Sequence, residues 1–149
     1  TLEDIEIPPP RHIEIPVCYG GGLGPDLGFV ASSNNLSEKD VIQLHSEQDY
    51  LIYMLGFTPG FPFLGGLSEK LHTPRLENPR KKVVAGSVGI ANDQTGVYPI
   101  DSPGGWQLIG RTPLQLFTPT AAQPFLLSSG NILKFKPICE REFNTIFNG

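Results

Sequence analysis

Ionisable side chains in and beside the loops of this sequence could supply acid–base and anion-binding chemistry. His45 and Asp26 are candidate proton-transfer groups, and Arg111 and Arg75 can each hold a carboxylate or phosphate through a fixed, fork-shaped charge. We therefore predict catalytic roles for His45, Asp26 and Arg111. The alternative for each is structural: a histidine at the surface or core edge of a helix, an aspartate that caps a turn, and an arginine bonded to loop carbonyls.

Two Gly/Pro-rich segments are candidate substrate-binding loops, Thr58–Gly66 and Gln94–Trp106. Glycine allows backbone N–H groups to approach a ligand closely, and proline fixes the shape of a loop. Phe61 and Trp106 could wall an apolar pocket, although Trp106 could equally be a core anchor. The predicted substrate-binding residues are Phe57, Pro59, Gly60, Phe61, Arg75, Gln94, Thr95, Tyr98, Ser102, Gly104, Gly105 and Trp106.

Several common motifs are absent or incomplete. The sequence has no Gly-Lys dipeptide and hence no Walker A phosphate loop. Gly22-Leu23-Gly24 lacks a third glycine at the dinucleotide spacing. Ala85–Gly89 loosely matches a nucleophile elbow, but strand-like sequence flanks both sides, so Ser87 is better explained as part of a small-residue strand. The two cysteines form no Cys/His cluster, so we expect no metal site and two free thiols.

Composition limits the partners. The 149 residues are enough for one domain with its own core. Eleven Lys and Arg against fifteen Asp and Glu give a net charge of −4, which argues against nucleic acid. The longest apolar run, Tyr50–Phe57, is too short to cross a bilayer. We expect no nucleic acid, no membrane and a cytoplasmic location.

The hydrophobic pattern predicts a mainly β fold. His12–Val17 alternates like a strand, and Ser37 with Asp40 forms a capping-box pattern that predicts the main helix at about 38–47. A buried strand is predicted at Tyr50–Leu55 and a long loop over 56–80. Short strands are predicted at 83–90, 96–100, 106–109, 113–117, 124–127 and 131–136, and a short helix at 140–147. Periodicity does not choose between a sandwich and a barrel.

Longer motifs stand in order along the chain at residues 15–21, 24–27, 55–61, 85–88, 94–99 and 102–113. Together they resemble the allophanate hydrolase subunit 1 family, in particular the C-terminal domain of its KipI/PxpB group. The resemblance covers about residues 11–138 and departs from the usual family pattern at Val84 and at Asn92-Asp93.

The resemblance implies a cyclophilin-like β-barrel over residues 11–149, preceded by a linker at 1–10 from an N-terminal domain. It implies one component of a bacterial ATP-dependent 5-oxoprolinase, with KipA/PxpC-like and PxpA-like subunits as partners. ATP, with Mg, would be a cosubstrate bound by the complex, and no tightly bound cofactor is expected.

The resemblance also leaves other functions open. It implies inhibition of the sporulation histidine kinase KinA, either alongside the enzymatic role or as the only function. For that role we predict that an apolar patch on the Phe57–Leu67 loop contacts a helical bundle of the kinase. Relatives in urea amidolyase and urea carboxylase make an allophanate- or urea-type amide hydrolase component a further alternative. Prolyl isomerisation is suggested only by the implied fold, and fold analogy does not carry function.

Overall fold

A computed structural model describes residues 11–54, 62–116, 118, 120 and 130–149. In chain order its elements are β1 (His12–Tyr19), α1 (Leu27–Ser33), α2 (Glu38–Glu47), β2 (Tyr50–Met54), β3 (Pro62–Gly65), β4 (Arg80–Val83), β5 (Ser87–Ala91), β6 (Gln94–Val97), β7 (Ser102–Gly104), β8 (Gln107–Arg111), β9 (Ile132–Pro137) and α3 (Glu140–Phe147). The linker predicted at 1–10 and the strand predicted at 124–127 lie outside these residues.

Seven of the strands in the described ranges close into a barrel, in the order β1-β8-β5-β6-β3-β2-β9. Strands β1 and β9 pair in parallel from His12↔Ile132 to Val17↔Pro137, and the other barrel pairs are antiparallel. Strands β4 and β7 form a separate two-stranded sheet. The prediction of a mainly β barrel is therefore confirmed, and closure leaves these seven strands without a free edge within the ring.

Apolar side chains that alternate along the strands fill the barrel. Ile15 and Val17 on β1 and Phe135 on β9 are buried in the main core, because alternate residues of a strand face the same side. A smaller cluster beside the β4–β7 sheet consists of Val83, Ala91, Tyr98, Trp106 and Leu108. The candidate site lies next to this second cluster, because Trp106 and Leu108 flank Gln107, which lines the site.

The predicted main helix and its capping box are confirmed. The backbone N–H of Asp40 donates to Ser37 Oγ at 3.0 Å, and the N–H of Ser37 donates back to Asp40 Oδ2 at 3.2 Å. The hydrogen bonds from Ser37 hold the pKa of the Asp40 carboxyl below its usual value. The predicted C-terminal helix is confirmed as α3, with Phe143 buried beneath it.

Four differences from the predictions have physical causes. Helix α1 is missed, because its seven residues contain a glycine and no capping hydrogen bond from Asp26. Strand β2 is predicted buried, but Leu51 and Tyr53 are exposed while Tyr50 and Ile52 point inward, since the strand faces solvent on one side. The predicted loop contains β3, whose ladder to β2 and β6 outweighs its Pro and Gly residues. The strand predicted at 113–117 is wrong over 113–116, where apolar side chains are buried without strand pairing.

Within the described ranges, none of the helices is both long enough and apolar enough to span a bilayer. Across the same residues, no group of three or more His, Cys, Asp or Glu side chains is arranged to hold a metal ion.

Candidate functional site

A cavity of about 490 Å³ lies where α1, the start of β8 and the connection before β4 meet. Asp26 and Phe29 form one wall and Gln107 the floor, and the segment 74–77 covers the other side. We call this space the Gln107 cavity. It combines apolar walls with a few polar groups, the usual composition of a small-molecule site. A larger depression of about 620 Å³ is lined only by α3 and Asn148, so it is an open helix surface rather than a pocket.

Asp26 is held by several contacts. Its carboxylate accepts hydrogen bonds from the N–H of Leu108 at 2.7 Å and from Arg80 Nη2, which lies 3.0 Å from Oδ1 and 2.9 Å from Oδ2. Arg80 Nη1 also donates to the carbonyl of Trp106 at 3.3 Å. Only 14% of the Asp26 side chain is exposed. The carboxylate therefore ties the start of α1 to β8 and β4, and its contacts are those of a positioning residue.

Replacing Asp26 with asparagine tests this tie. Asp26→Asn keeps an acceptor for Leu108 but removes the ion pair with Arg80, so we expect a loss of about 1–3 kcal/mol in the free energy of unfolding. Urea denaturation measures it, with the exposed Asp93→Asn as matched control. In the Asp26→Asn background, Arg80→Gln should cost less than in the native sequence. Equal costs in both backgrounds would show that the pair is not coupled.

Gln107 is a residue that the sequence predictions missed. Its side chain is 3% exposed, and Nε2 donates to the carbonyl of Pro74 at 3.0 Å. Because a carbonyl accepts only, this bond fixes which end of the amide is the nitrogen. Oε1 is then a buried acceptor that has no hydrogen-bond partner among the described residues. Nothing in a glutamine within an apolar strand signals this from sequence.

Three of the predicted residues either belong to or contact the segment 74–77, which we call the cover segment. The Cζ atom of Arg75 lies 6.0 Å from the centre of the Trp106 ring, a cation–π contact. The N–H of Leu76 donates to the carbonyl of Gly105 at 2.7 Å. Trp106 is itself buried in the smaller core cluster, so its role as an anchor is supported. The structure thus places Arg75 in the lining of the same cavity as Asp26, and Gly105 and Trp106 contact the segment that covers it without lining the cavity themselves.

Tyr98, Ser102 and Gly104 lie behind this cavity and do not line it. Tyr98 is buried with its ring edge toward Trp106 at 6.4 Å, and burial raises the pKa of its hydroxyl. A side chain at Gly104 would overlap the Tyr98 hydroxyl, so glycine is required there for close approach. Ser102 is half-buried on the β7 edge. Tyr98 and Gly104 thus pack next to Trp106 and outside the cavity.

His45 and Thr95 occupy the barrel interior, away from the Gln107 cavity. The Thr95 hydroxyl donates to the carbonyl of Gly89 at 2.7 Å, so it must accept from His45 Nε2 at 2.9 Å. His45 Nδ1 then accepts from the Tyr19 hydroxyl at 2.7 Å, which makes His45 a neutral Nε2–H tautomer. Complete burial lowers the pKa of His45 to about 3. These contacts are structural, but His45 lies fully inside the core, so the alternative position at the helix surface or core edge is wrong.

Arg111 lies at the far end of β8 from Gln107, about 13 Å along the strand. Its Nε donates to the carbonyl of Ala85 at 3.0 Å. Its guanidinium lies over the rings of Phe143 and Phe147, 5.7 and 4.9 Å from their centres, and so fastens α3 to the barrel. His45, Asp26 and Arg111, predicted together, occupy three separate places. Their catalytic roles stay predictions that no contact between them supports.

The remaining predicted residues are Gln94 and four loop residues that the structure does not describe. Gln94 is exposed at the start of β6, and it does not line the cavity. The predicted loop residues Phe57, Pro59, Gly60 and Phe61 lie outside the described residues, so their substrate-binding role stays a prediction.

Comparison with known proteins places the chain in a family. Residues 2–127 match the family model described as carboxyltransferase domain, subdomain C and D. The chain belongs to this family.

Individual relatives are similar over most of the chain. It is 58% identical over 134 residues to a 5-oxoprolinase subunit of Bacillus subtilis (strain 168), covering 90% of this chain and 56% of that protein. It is 58% identical over 130 residues to the corresponding 5-oxoprolinase subunit of Escherichia coli O157:H7, covering 87% and 60%. These matches confirm the resemblance to the KipI/PxpB group. The chain spans less than two thirds of the length of these relatives.

Solved structures share the barrel. A conserved uncharacterized protein from Pyrococcus horikoshii superposes with a TM-score of 0.86 at 57% identity, covering 89% of this chain and 62% of that one. The Kluyveromyces lactis urea amidolyase superposes with a TM-score of 0.80 at 21% identity, covering 93% of this chain and 10% of that one. The second likeness supports the fold alone.

Proposed function

We propose that this chain is part of one subunit of a bacterial ATP-dependent 5-oxoprolinase, which opens 5-oxoproline to glutamate. The observation that carries the proposal is the 58% identity, over 90% and 87% of the chain, to two proteins named as 5-oxoprolinase subunits. A five-membered lactam is stabilised by resonance, so its hydrolysis gains from activation. Transfer of the γ-phosphoryl group of ATP to the amide oxygen would release ADP and make the ring carbon more electrophilic. Water would then add to that carbon, and the ring C–N bond would break with protonation of the nitrogen, which leaves the free amine of γ-glutamyl phosphate. A second water would hydrolyse this acyl phosphate to glutamate and phosphate.

The arrangement of the side chains supports a subunit role rather than a self-sufficient enzyme. Proton transfer and phosphate stabilisation need groups that converge on one substrate. Within the described residues, the predicted catalytic groups His45, Asp26 and Arg111 do not converge, and each is occupied by structural contacts. Partner subunits similar to KipA/PxpC and PxpA would supply the missing groups and the site for ATP and Mg. The complex would act in the cytoplasm.

Two alternatives have separate tests. An allophanate- or urea-type amide hydrolase component gains support from the 31% identity over 134 residues to urea amidolyase of Lachancea kluyveri, which covers 82% of this chain and 7% of that protein. Assaying the same assembly with urea and allophanate decides between the substrates.

Inhibition of KinA stays a prediction. A charge at Phe61 or Phe63 should weaken it, and unchanged inhibition by both variants would rule that loop out.

Reconstitution tests the proposed function directly. The full-length protein, mixed with its two partner subunits, ATP and 5-oxoproline, should release glutamate together with an equal amount of phosphate. Omitting this protein should abolish the release, because no complete set of catalytic groups then remains. Release at the same rate without it would contradict the proposal.

A further inference from the structure

We propose that the Gln107 cavity binds the lactam ring of 5-oxoproline, with Gln107 Oε1 accepting the ring N–H and Arg75 holding the carboxylate. This inference rests on the proposed function and assigns a place for its substrate.

The unpaired oxygen of Gln107 calls for a donor from a ligand. Buried acceptors in folded proteins almost always have a hydrogen-bond partner, and Oε1 has none among the described residues. The side-chain amide of Gln107 cannot rotate by 180° to give Oε1 a partner, since Nε2 must donate to the carbonyl of Pro74. The missing partner must therefore be a donor, and the lactam N–H is the donor that 5-oxoproline offers.

Arg75 places a positive charge on the wall of the same cavity. Arg75 is exposed there, and its contact with Trp106 restricts where the guanidinium can point. A guanidinium binds a carboxylate through two parallel hydrogen bonds. The other arginine nearby, Arg80, is already paired with Asp26. Its positive charge is therefore neutralised by that carboxylate and does not attract the carboxylate of a ligand.

The size and lining of the cavity suit this ligand. A volume of about 490 Å³ accommodates a five-membered ring with space left for a second reacting group, and Phe29 and Leu76 offer apolar surface for the ring methylenes. Oε1 is shielded from solvent, so residues 76–77 of the cover segment must move for the ring N–H to reach it, while Pro74 keeps its bond to Nε2. The carboxylate of Glu77 also lies on the cavity wall and repels the carboxylate of 5-oxoproline. The variant Glu77→Gln should therefore bind 5-oxoproline about twofold more tightly.

The test pairs changes in the ligand with changes in the protein. The full-length protein, assembled with its partner subunits, is titrated calorimetrically with 5-oxoproline, N-methyl-5-oxoproline and 2-pyrrolidinone. N-methylation removes the donor and should weaken binding about 10-fold in the native protein, but less than about twofold in Gln107→Met. Removing the carboxylate should weaken binding roughly 10- to 100-fold in the native protein, but less than about threefold in Arg75→Gln.

The controls separate this inference from the proposed function. Arg141→Gln removes a matched exposed arginine on α3 and should bind all three ligands like the native protein. Circular dichroism verifies that each variant is folded. If glutamate release requires this subunit, yet each ligand change costs the same in native and variant proteins, the cavity assignment is overturned and the proposed function stands. If release does not require this subunit, the proposed function is contradicted, and the cavity assignment that rests on it is rejected as well.

Discussion

Acidification from about pH 6.5 to about pH 4.5 is expected to lower the free energy of unfolding by about 2 kcal/mol through His45 alone. Burial lowers the pKa of His45 to about 3 in the folded barrel, whereas the unfolded side chain titrates near its ordinary value of 6.5. Between these two values the unfolded state binds the extra proton. Stability is therefore complete above about pH 6.5 and is lost as the pH falls toward 3.

His45→Gln isolates this effect. A glutamine can accept from Tyr19 and donate to Thr95 but does not titrate, so its contribution to the pH slope should vanish. We expect the variant to be about 1–3 kcal/mol less stable at neutral pH. The exposed His12→Gln and His72→Gln are the matched controls for the substitution itself. Nitrogen chemical shifts of the native imidazole provide a second readout, since a protonated His45 in the folded protein at pH 5 would contradict the account.

Gly24→Ala is expected to destabilise the domain by about 3 kcal/mol or more. A side chain at Gly24 would overlap the backbone carbonyl of Ile109, well inside van der Waals contact. The loop cannot move away cheaply, because the N–H of Gly20 donates to that same carbonyl at 3.0 Å and the N–H of Asp26 donates to the carbonyl of Leu108 at 2.8 Å. Thermal or urea unfolding measures the loss.

Gly28→Ala is the matched control for that loop. No atom lies within 4 Å of a side chain placed at Gly28, which is in α1, so alanine should stabilise the helix by about 0.5–1 kcal/mol. The two substitutions lie four residues apart and should have opposite signs. If Gly24→Ala were as stable as the native protein, the docking of this loop on β8 would be wrong.

Elements with strong local signals could be predicted from the sequence, and elements made by tertiary contacts could not. Helix α2 was predictable because its capping box is local, and β1 because Ile13, Ile15 and Val17 alternate. Helix α1 has no such signal. Its start is fixed by the contacts of Asp26 with β8 and Arg80, which join residues far apart in the chain.

The candidate site divides in the same way. Arg75, Gly105 and Trp106 were predicted because loop arginines, glycines and aromatic residues are common in binding sites. The structure places Arg75 in the cavity lining, and Gly105 and Trp106 contact the segment that covers it. Gln107 was missed because an unpaired buried oxygen is a property of the folded chain, not of a residue type. His45 was predicted as catalytic because sequence cannot show that both of its ring nitrogens are bonded inside a barrel.

The most direct measurement is a crystal structure of the assembled complex with 5-oxoproline and a non-hydrolysable ATP analogue. We predict density for the lactam in the cavity between Asp26 and Gln107, with the ring nitrogen in hydrogen-bond range of Gln107 Oε1 and the carboxylate on Arg75. Lactam density elsewhere, with this cavity empty or filled only by solvent, would contradict that assignment.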